Sequence, residues 1–293
     1  MERAKGILYA ALSSSTFGLA PLFTLLLAGG YSPFEALSYR WGVAALFPGA
    51  LAVCSGRSFR LGSRELVTVF LLSLFRAATS LSLIIAYQHI ASGVASTIHF
   101  MYPLAVALAM MCFFREKGSV WVFAAIGMSI VGAVLLSLGN VDFTRGNTTL
   151  GMVSAAVSVV SYGGYIVGVR KSRAVGIDST VLTCYVMGLG ALYFIAGGLV
   201  TGGIRIETDG TAWLCILGVA LPATAVSNMT LVQAIKRIGP TLTSVFGALE
   251  PLTAVVIGVA VFGEPFTVQG AAGILLIVAA VTIVILHSGR RKA

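Results

Sequence analysis

Ten continuous apolar runs follow one another along the chain, and this pattern decides most of what the chain can fold into. A helix needs roughly 20 mostly apolar residues to cross a bilayer, and each run is about that long. The runs cover approximately residues 6–29, 33–55, 65–88, 93–114, 119–138, 147–170, 178–201, 211–235, 240–262 and 267–287. Only short loops remain between them. The sequence therefore predicts an all-α polytopic membrane protein with ten transmembrane helices.

The composition excludes a soluble enzyme of ordinary type. Only 10% of the residues are charged and 58% are hydrophobic, whereas about 25% of the residues in a soluble domain are charged. Membrane strands would alternate apolar and polar residues over ~10-residue stretches. The runs here are continuous and about twice as long, so helices are predicted.

The distribution of Lys and Arg predicts the orientation in the membrane. With the N-terminus in the cytoplasm, fifteen of the 19 Lys and Arg residues fall in cytoplasmic segments. Arg145 and Arg205 fall in outer loops, and Arg40 and Arg76 lie within spans. Because positive residues are retained on the cytoplasmic side, we expect a cell inner membrane protein with both termini cytoplasmic. The net charge of +9 is thus a topology signal, and no nucleic-acid partner is expected.

The two halves of the chain resemble each other. A shift of 148 residues aligns the third to fifth runs with the eighth to tenth without a gap, so that Pro103 meets Pro251. Each half has five runs, an odd number, so the second half must be inverted in the membrane. We expect two five-helix repeats, residues 1–140 and 141–293. Inverted repeats are typical of alternating-access transporters with a site near the bilayer midplane.

Two segments carry a likeness to a known family. The segment from Pro103 and its partner from Leu249, LEPLTAVVIGVAVFGEPFTVQGAAGILLIVAAV, resemble the EamA-type branch of the drug/metabolite transporter superfamily. The resemblance covers essentially the whole chain and is greatest to bacterial YddG-type amino-acid exporters. It implies export of amino acids, neutral and aromatic ones included. The first half departs from the pattern: Tyr102 stands before Pro103, where Glu250 stands before Pro251.

Polar residues inside the spans mark the candidate site, because such groups are costly in hydrocarbon and usually face the bundle interior. Arg76, Thr79 and Ser80 share one helix face by their spacing. Ser227 and Asn228, which the repeat shift maps onto Thr79 and Ser80, lie on one face of the eighth span. We place these two stripes across a central aqueous cavity. The predicted substrate-binding residues are Phe17, Arg76, Thr79, Ser80, His99, Tyr102, Tyr162, Ser227, Asn228 and Glu250.

The charged residues of the spans leave alternatives open. Arg76 keeps its proton and requires a partner, which is either a substrate carboxylate or a structural group such as Glu250 or backbone carbonyls. Glu250 binds an amino group, carries a coupling proton or is that structural partner. His99 lines the cavity or is a hydrogen-bonded interior imidazole. Arg40 is expected to snorkel to the outer end of its span and to pair locally with Glu35.

Prolines within the spans predict kinks, because proline lacks the backbone N–H that continues a helix. The predicted hinge positions are Pro21, Pro103, Pro222 and Pro251. The fifth and tenth spans are almost wholly apolar and are expected at the periphery.

The sequence thus predicts a secondary transporter, active or facilitative, with small-molecule substrates and the lipid bilayer as its surroundings. The first alternative is a different cargo: drugs, nucleotide sugars or other organic metabolites. An intramembrane enzyme or a channel is more distant, since no catalytic residue set and no filter-like segment is found. No cofactor and no metal is predicted. The sequence leaves open the coupling ion, the direction of net transport and the oligomeric state, for which a monomer is the simplest expectation.

Overall fold

A computed structural model of the chain describes residues 2–20, 31–90, 92–137, 146–262 and 267–287, and these ranges are helical with no β-sheet. Within them, eight helical segments are long and apolar enough to cross a bilayer. These segments are Pro33–Cys54, Ser63–His89, Val94–Phe114, Thr148–Lys171, Ser179–Thr201, Gly210–Ile238, Pro240–Val261 and Val268–Leu286. The fold is that of a multi-pass membrane protein.

The other two of the ten predicted spans are seen only in part. A helix over Glu2–Phe17 begins the first run, and the rest of that run, with Pro21, lies outside the described residues. The fifth run forms a helix whose apolar part, Val120–Leu136, is shorter than the eight spanning segments. The number of ten spans therefore stays a prediction.

The helices are numbered in chain order. They are α1 Glu2–Phe17, α2 Pro33–Cys54, α3 Ser63–His89, α4 Ser92–His99, α5 Tyr102–Phe114, α6 Val120–Ser137, α7 Thr148–Lys171, α8 Ser179–Thr201, α9 Gly210–Ala220, α10 Ser227–Ile238, α11 Pro240–Phe246, α12 Leu249–Phe262 and α13 Val268–His287.

Local sequence signals set the helix ends. Before α2, the Ser32 hydroxyl accepts from the Glu35 backbone N–H, and the Glu35 carboxylate accepts from the Ser32 N–H, both at 3.2 Å. This capping box satisfies donors that a helix start leaves free. The Asp178 carboxylate caps α8 in a related way. α10 ends at Gly239, whose φ of 85° favours glycine.

Two spans are broken near their prolines. α4 and α5 are separated at residues 100–101, and α11 and α12 at residues 247–248. Pro103 and Pro251 follow these breaks closely, and neither can donate a backbone hydrogen bond to the preceding turn. Adding the repeat shift of 148 residues to the first break gives residues 248–249, which is within one residue of the second break.

A π-helical turn, Leu221–Val226, joins α9 to α10. Pro222 lies at its start and has no N–H to continue the α-helical ladder. The Thr224 hydroxyl donates to the Val219 carbonyl at 2.8 Å. Such turns contain one extra residue and are frequent at functional sites.

The first and second halves of the chain are interleaved in the described part. The most extensive helix contacts are α1 with α10, α2 with α8, α3 with α7, and α6 with α13. Each of these pairs joins a helix before residue 140 to one after it. The apolar fifth and tenth runs, α6 and α13, thus pack on each other.

Glycines allow α6 and α13 to approach closely. A Cβ atom at Gly132 would lie 2.8 Å from Ile277 Cγ1 and 2.9 Å from the Gly273 carbonyl oxygen. Small residues at such crossings let membrane helices pack backbone to backbone.

Gly132→Ala is expected to destabilise this helix pair by roughly 1–3 kcal/mol, because the backbone oxygen it meets cannot move aside as a side chain does. Gly127→Ala in the same helix is the matched control, since its Cβ would meet nothing within 4 Å. The measurement is the melting temperature of the purified protein in detergent. Equal melting temperatures for the two variants would show that the close approach of α6 and α13 is wrong.

Candidate functional site

Arg76 lies at the midpoint of α3, and its side chain is buried, with 4% exposed. Its Nε donates to Asn228 Oδ1 at 3.0 Å, and its Nη1 donates to Ser80 Oγ at 3.3 Å. A guanidinium carries five N–H donors. Three of the five therefore have no hydrogen-bond acceptor among the described residues. Arg76 is held in place but retains most of its capacity to bind an anion.

Three aromatic rings surround the Arg76 guanidinium. Its Cζ atom lies 5.3 Å from the Phe17 ring centroid, 5.2 Å from that of Tyr162 and 5.8 Å from that of Trp41. These distances are those of cation–π contacts, which are stronger away from water. The rings come from α1, α7 and α2, so helices of both halves meet at Arg76.

A second arginine reaches the same network. Asn228 Nδ2 donates to the Thr224 carbonyl at 2.6 Å, and Arg40 Nε donates to the Thr224 hydroxyl at 2.6 Å. Thr224 belongs to the π turn and Asn228 follows it by one helical turn. The guanidinium groups of Arg40 and Arg76 are thus both anchored on this short stretch of helix.

The predicted pairing of Arg40 with Glu35 is wrong. The buried Glu35 carboxylate accepts from the backbone N–H of Arg205 at 2.9 Å, from its Nε at 3.1 Å and from its Nη2 at 3.2 Å. Residues five apart are separated by about 140° around an α-helix, so Glu35 and Arg40 face different neighbours. Glu35 meets the loop after α8, and Arg40 turns inward to the π turn.

Glu250 lies in the first turn of α12 and is partly buried. Its carboxylate has no hydrogen bond or ion pair with any residue that the structure describes. Arg40 and Arg76 lie close enough for their charges to act on it. The described hydrogen-bond partners of Arg76 are therefore Asn228 and Ser80, and the direct pair with Glu250, one of the alternatives from the sequence, is absent from the described contacts. Gly18, the residue after α1, packs closely on the Glu250 carbonyl.

An aromatic cluster continues from Tyr162 to α4 and α5. His99 Nδ1 lies 2.8 Å from Ser158 Oγ, and the His99 ring stacks on Tyr162 with centroids 5.4 Å apart. The Tyr102 and Tyr162 centroids are 4.6 Å apart. His99 is 6% exposed, so its ring is a hydrogen-bonded interior imidazole in this state.

Two predicted residues lie at the margin of the network. The Thr79 hydroxyl donates to Ser161 on α7 at 3.1 Å. The Ser227 hydroxyl donates to the carbonyls of Ala223 and Thr224 in the π turn. The Ser227 carbonyl accepts from the Ser13 hydroxyl on α1 at 2.8 Å. Thr79 and Ser227 thus join helices, and neither makes a hydrogen bond to Arg76 among the described residues.

Sequence reasoning missed Trp41 and did not select Tyr165 or Arg40 for the site. The Trp41 indole N–H and the Tyr165 hydroxyl are buried and have no hydrogen-bond partner among the described residues. The Arg76 charge acts on Tyr165. The signals were the position of Trp41 beside an intramembrane arginine and that of Tyr165 three residues after Tyr162. Both residues provide donors that a bound molecule can use.

A polar cluster lies at the membrane face that the charge distribution assigns to the outside. The Tyr31 hydroxyl donates to the Glu207 carboxylate, and this bond raises the pKa of Tyr31 to about 12 and lowers the pKa of Glu207. The Tyr39 hydroxyl donates to the Arg205 carbonyl. The hydrogen bond to Glu35 raises the pKa of Arg205. The cluster fixes the start of α2 to the loop between α8 and α9.

No three His, Cys, Asp or Glu side chains in the described ranges lie together in a way that would hold a metal ion. The chemistry of the network is therefore that of charged and hydrogen-bonding groups lined by aromatic rings.

Comparison with known proteins places this geometry in context. The chain matches the EamA-like transporter family twice, over residues 4–138 and 149–286. An "Uncharacterized transporter" of Archaeoglobus fulgidus is 24% identical, over 93% of this chain and 93% of that protein. The "Uncharacterized transporter YojE" of Bacillus subtilis is 26% identical, over 91% of this chain and 88% of that protein.

One solved crystal structure has the same fold. Its TM-score is 0.81 at 20% sequence identity, and the match covers 100% of this chain and 99% of that chain. At this identity the likeness shows the fold alone. The two family matches together cover most of the residues, including every helix of the Arg76 network. The chain therefore belongs to the EamA-like transporter family and is a multi-pass membrane transporter.

Proposed function

We propose that this transporter exports amino acids or closely related small carboxylates across the cell inner membrane, with the Arg76 network as its binding site. The observation that carries the proposal is a buried arginine at mid-span with three unused N–H donors. Burying a cation at that depth costs free energy unless the cation binds a ligand or pairs with another residue. No carboxylate pairs with Arg76 among the described residues. The resemblance to amino-acid exporters supports the substrate class.

The groups around Arg76 suit a zwitterion. Arg76 provides a cationic fork for an α-carboxylate, and the unpaired Glu250 carboxylate provides an acceptor for an ammonium group. The unused donors of Trp41 and Tyr165 add hydrogen bonds, and the rings provide an apolar wall for a side chain. Glu250 also remains a candidate carrier of a coupling proton.

Alternating access completes the proposal. Ten transmembrane helices in two inverted five-helix repeats, with both termini cytoplasmic, would move against each other around a fixed central site. The broken helices near Pro103 and Pro251 and the π turn at Pro222 support this mechanism, because interrupted helices near the midplane are common in transporters built from repeats. The double family match supports the repeat boundaries at residues 140 and 141.

Counterflow in proteoliposomes tests the function. Vesicles are preloaded with unlabelled amino acids and receive a labelled trace outside, and empty liposomes serve as the control. We expect accumulation that saturates and is abolished by competing substrate, because a carrier exchanges bound solutes through one site. Flux without saturation or counterflow would indicate a pore. Flat traces for every amino acid, from folded protein, would remove this substrate class and move the search to drugs and other metabolites.

A further inference from the structure

The charges of the binding network do not balance. Three ionisable residues of the described spans act on one another there: Arg40, Arg76 and Glu250. Even with Glu250 ionised and histidine neutral, these residues leave one excess positive charge. The charge imbalance is seen only in the structure. The sequence predicts a pair between Arg40 and Glu35, whereas in the structure Glu35 binds Arg205.

The Arg40 side chain is partly buried and turns toward the interior of the protein. Arg40 is the eighth residue of α2, but its Nε binds Thr224, which lies at the midpoint of the 29-residue span Gly210–Ile238. Thr224 provides the sole hydrogen bond to the Arg40 side chain in the described part of the chain. The remaining guanidinium donors of Arg40 have no described acceptor.

An unbalanced pair of guanidiniums requires an anion. Arginine stays protonated in proteins, so neither side chain can relieve the excess by losing a proton. A buried charge without a partner is strongly unfavourable. A neutral amino acid would place its carboxylate on Arg76 and its ammonium on Glu250, and it would leave Arg40 without a counter-charge.

We propose that the substrate carries a net charge of −1, as an α-amino acid with an acidic side chain does. Its two carboxylates occupy Arg76 and Arg40, and its ammonium group faces Glu250. Arg40 is then the residue that selects acidic over neutral amino acids. This assignment rests on the transport function proposed above, and it replaces the neutral substrates that the family resemblance implies.

Competition in counterflow tests the charge preference. Labelled glutamate and labelled leucine are each offered to vesicles preloaded with the same compound, and unlabelled glutamate, aspartate, leucine and phenylalanine compete from outside. For the wild-type protein we expect glutamate and aspartate to compete at concentrations about tenfold or more below those of the neutral pair. In Arg40→Gln we expect this ratio to fall about tenfold or more, whereas Arg40→Lys keeps the charge and most of the preference.

Arg64→Gln is the matched control, because Arg64 is exposed at the start of α3, twelve residues before Arg76. Its preference ratio should equal that of the wild-type protein. If Arg40→Gln does not fold, Thr224→Val removes the hydroxyl that anchors Arg40 and is expected to lower the ratio in the same direction.

The outcomes separate the two proposals. Saturable counterflow of neutral amino acids that acidic ones do not inhibit would overturn the charge assignment and leave amino-acid transport standing. No counterflow of either class from folded protein would overturn both. The wild-type competition alone decides between these results and depends on no variant.

Discussion

Replacing Arg76 by glutamine is expected to lower amino-acid counterflow by roughly 30-fold or more. Loss of one partner of a buried charge-assisted pair costs about 2–5 kcal/mol, and each 1.4 kcal/mol is a factor of ten in an equilibrium constant. Glutamine keeps a donor for Asn228 but removes the cation that a substrate carboxylate would bind. Arg76→Lys retains the charge without the planar fork, and we expect it to lose less activity than Arg76→Gln.

The effect on folding should be in the opposite direction. Removing an arginine that makes no ion pair relieves the cost of burying its charge, so the melting temperature in detergent is expected to be unchanged or higher. Arg64→Gln is again the control for losing one positive charge. If Arg76→Gln and Glu250→Gln both fold and transport amino acids at wild-type rates, the proposed site is wrong.

Gly190→Ala is expected to destabilise the protein by roughly 1–3 kcal/mol, the usual cost of overpacking a filled core. A Cβ atom at Gly190 would overlap the six-membered ring of Trp41. Trp41 is 1% exposed and packs edge to face on Phe194 with centroids 5.2 Å apart, so its ring has little room to move. Because that ring also contacts the Arg76 guanidinium, transport should decrease as well.

Gly188→Ala provides the comparison on the same helix, since its Cβ would meet nothing within 4 Å. We expect that variant to keep or slightly raise the melting temperature, because alanine is favoured over glycine in helices by about 1 kcal/mol. The experiment combines thermal unfolding in detergent with counterflow. If Gly190→Ala had the same melting temperature and the same counterflow as Gly188→Ala, the packing of α2 against α8 would be contradicted.

The sequence predicts the spanning segments well because their length and apolar character are local properties. All eight spanning segments of the described residues coincide with predicted runs, and the breaks near Pro103 and Pro251 follow from the missing proline N–H. The prediction of Arg76 and Asn228 as site residues rests on helical spacing, which identifies the residues that share a face.

The side-chain contacts of the site depend on which helices are neighbours, and helical spacing does not contain that information. Thr79 shares a face with Arg76, but its hydroxyl contacts Ser161 because α7 packs beside it. Arg40 was assigned to the nearest acid in sequence, whereas the loop after α8 brings Arg205 to that acid. The role of Trp41 depends on its contact with Arg76, and its position next to Arg40 in the sequence does not reveal that contact.

The π turn changes the direction in which the side chains after it point around the helix axis. One extra residue in the helix offsets the later positions by about 100° relative to an uninterrupted α-helix. The direction in which Asn228 points is therefore a property of the whole turn at Leu221–Val226 and not of Asn228 alone. If the turn became regular α-helix, the Asn228 amide would rotate away from Arg76, and the hydrogen bonds that hold Arg76 and Arg40 would both change. No amino acid would need to be substituted for this to happen.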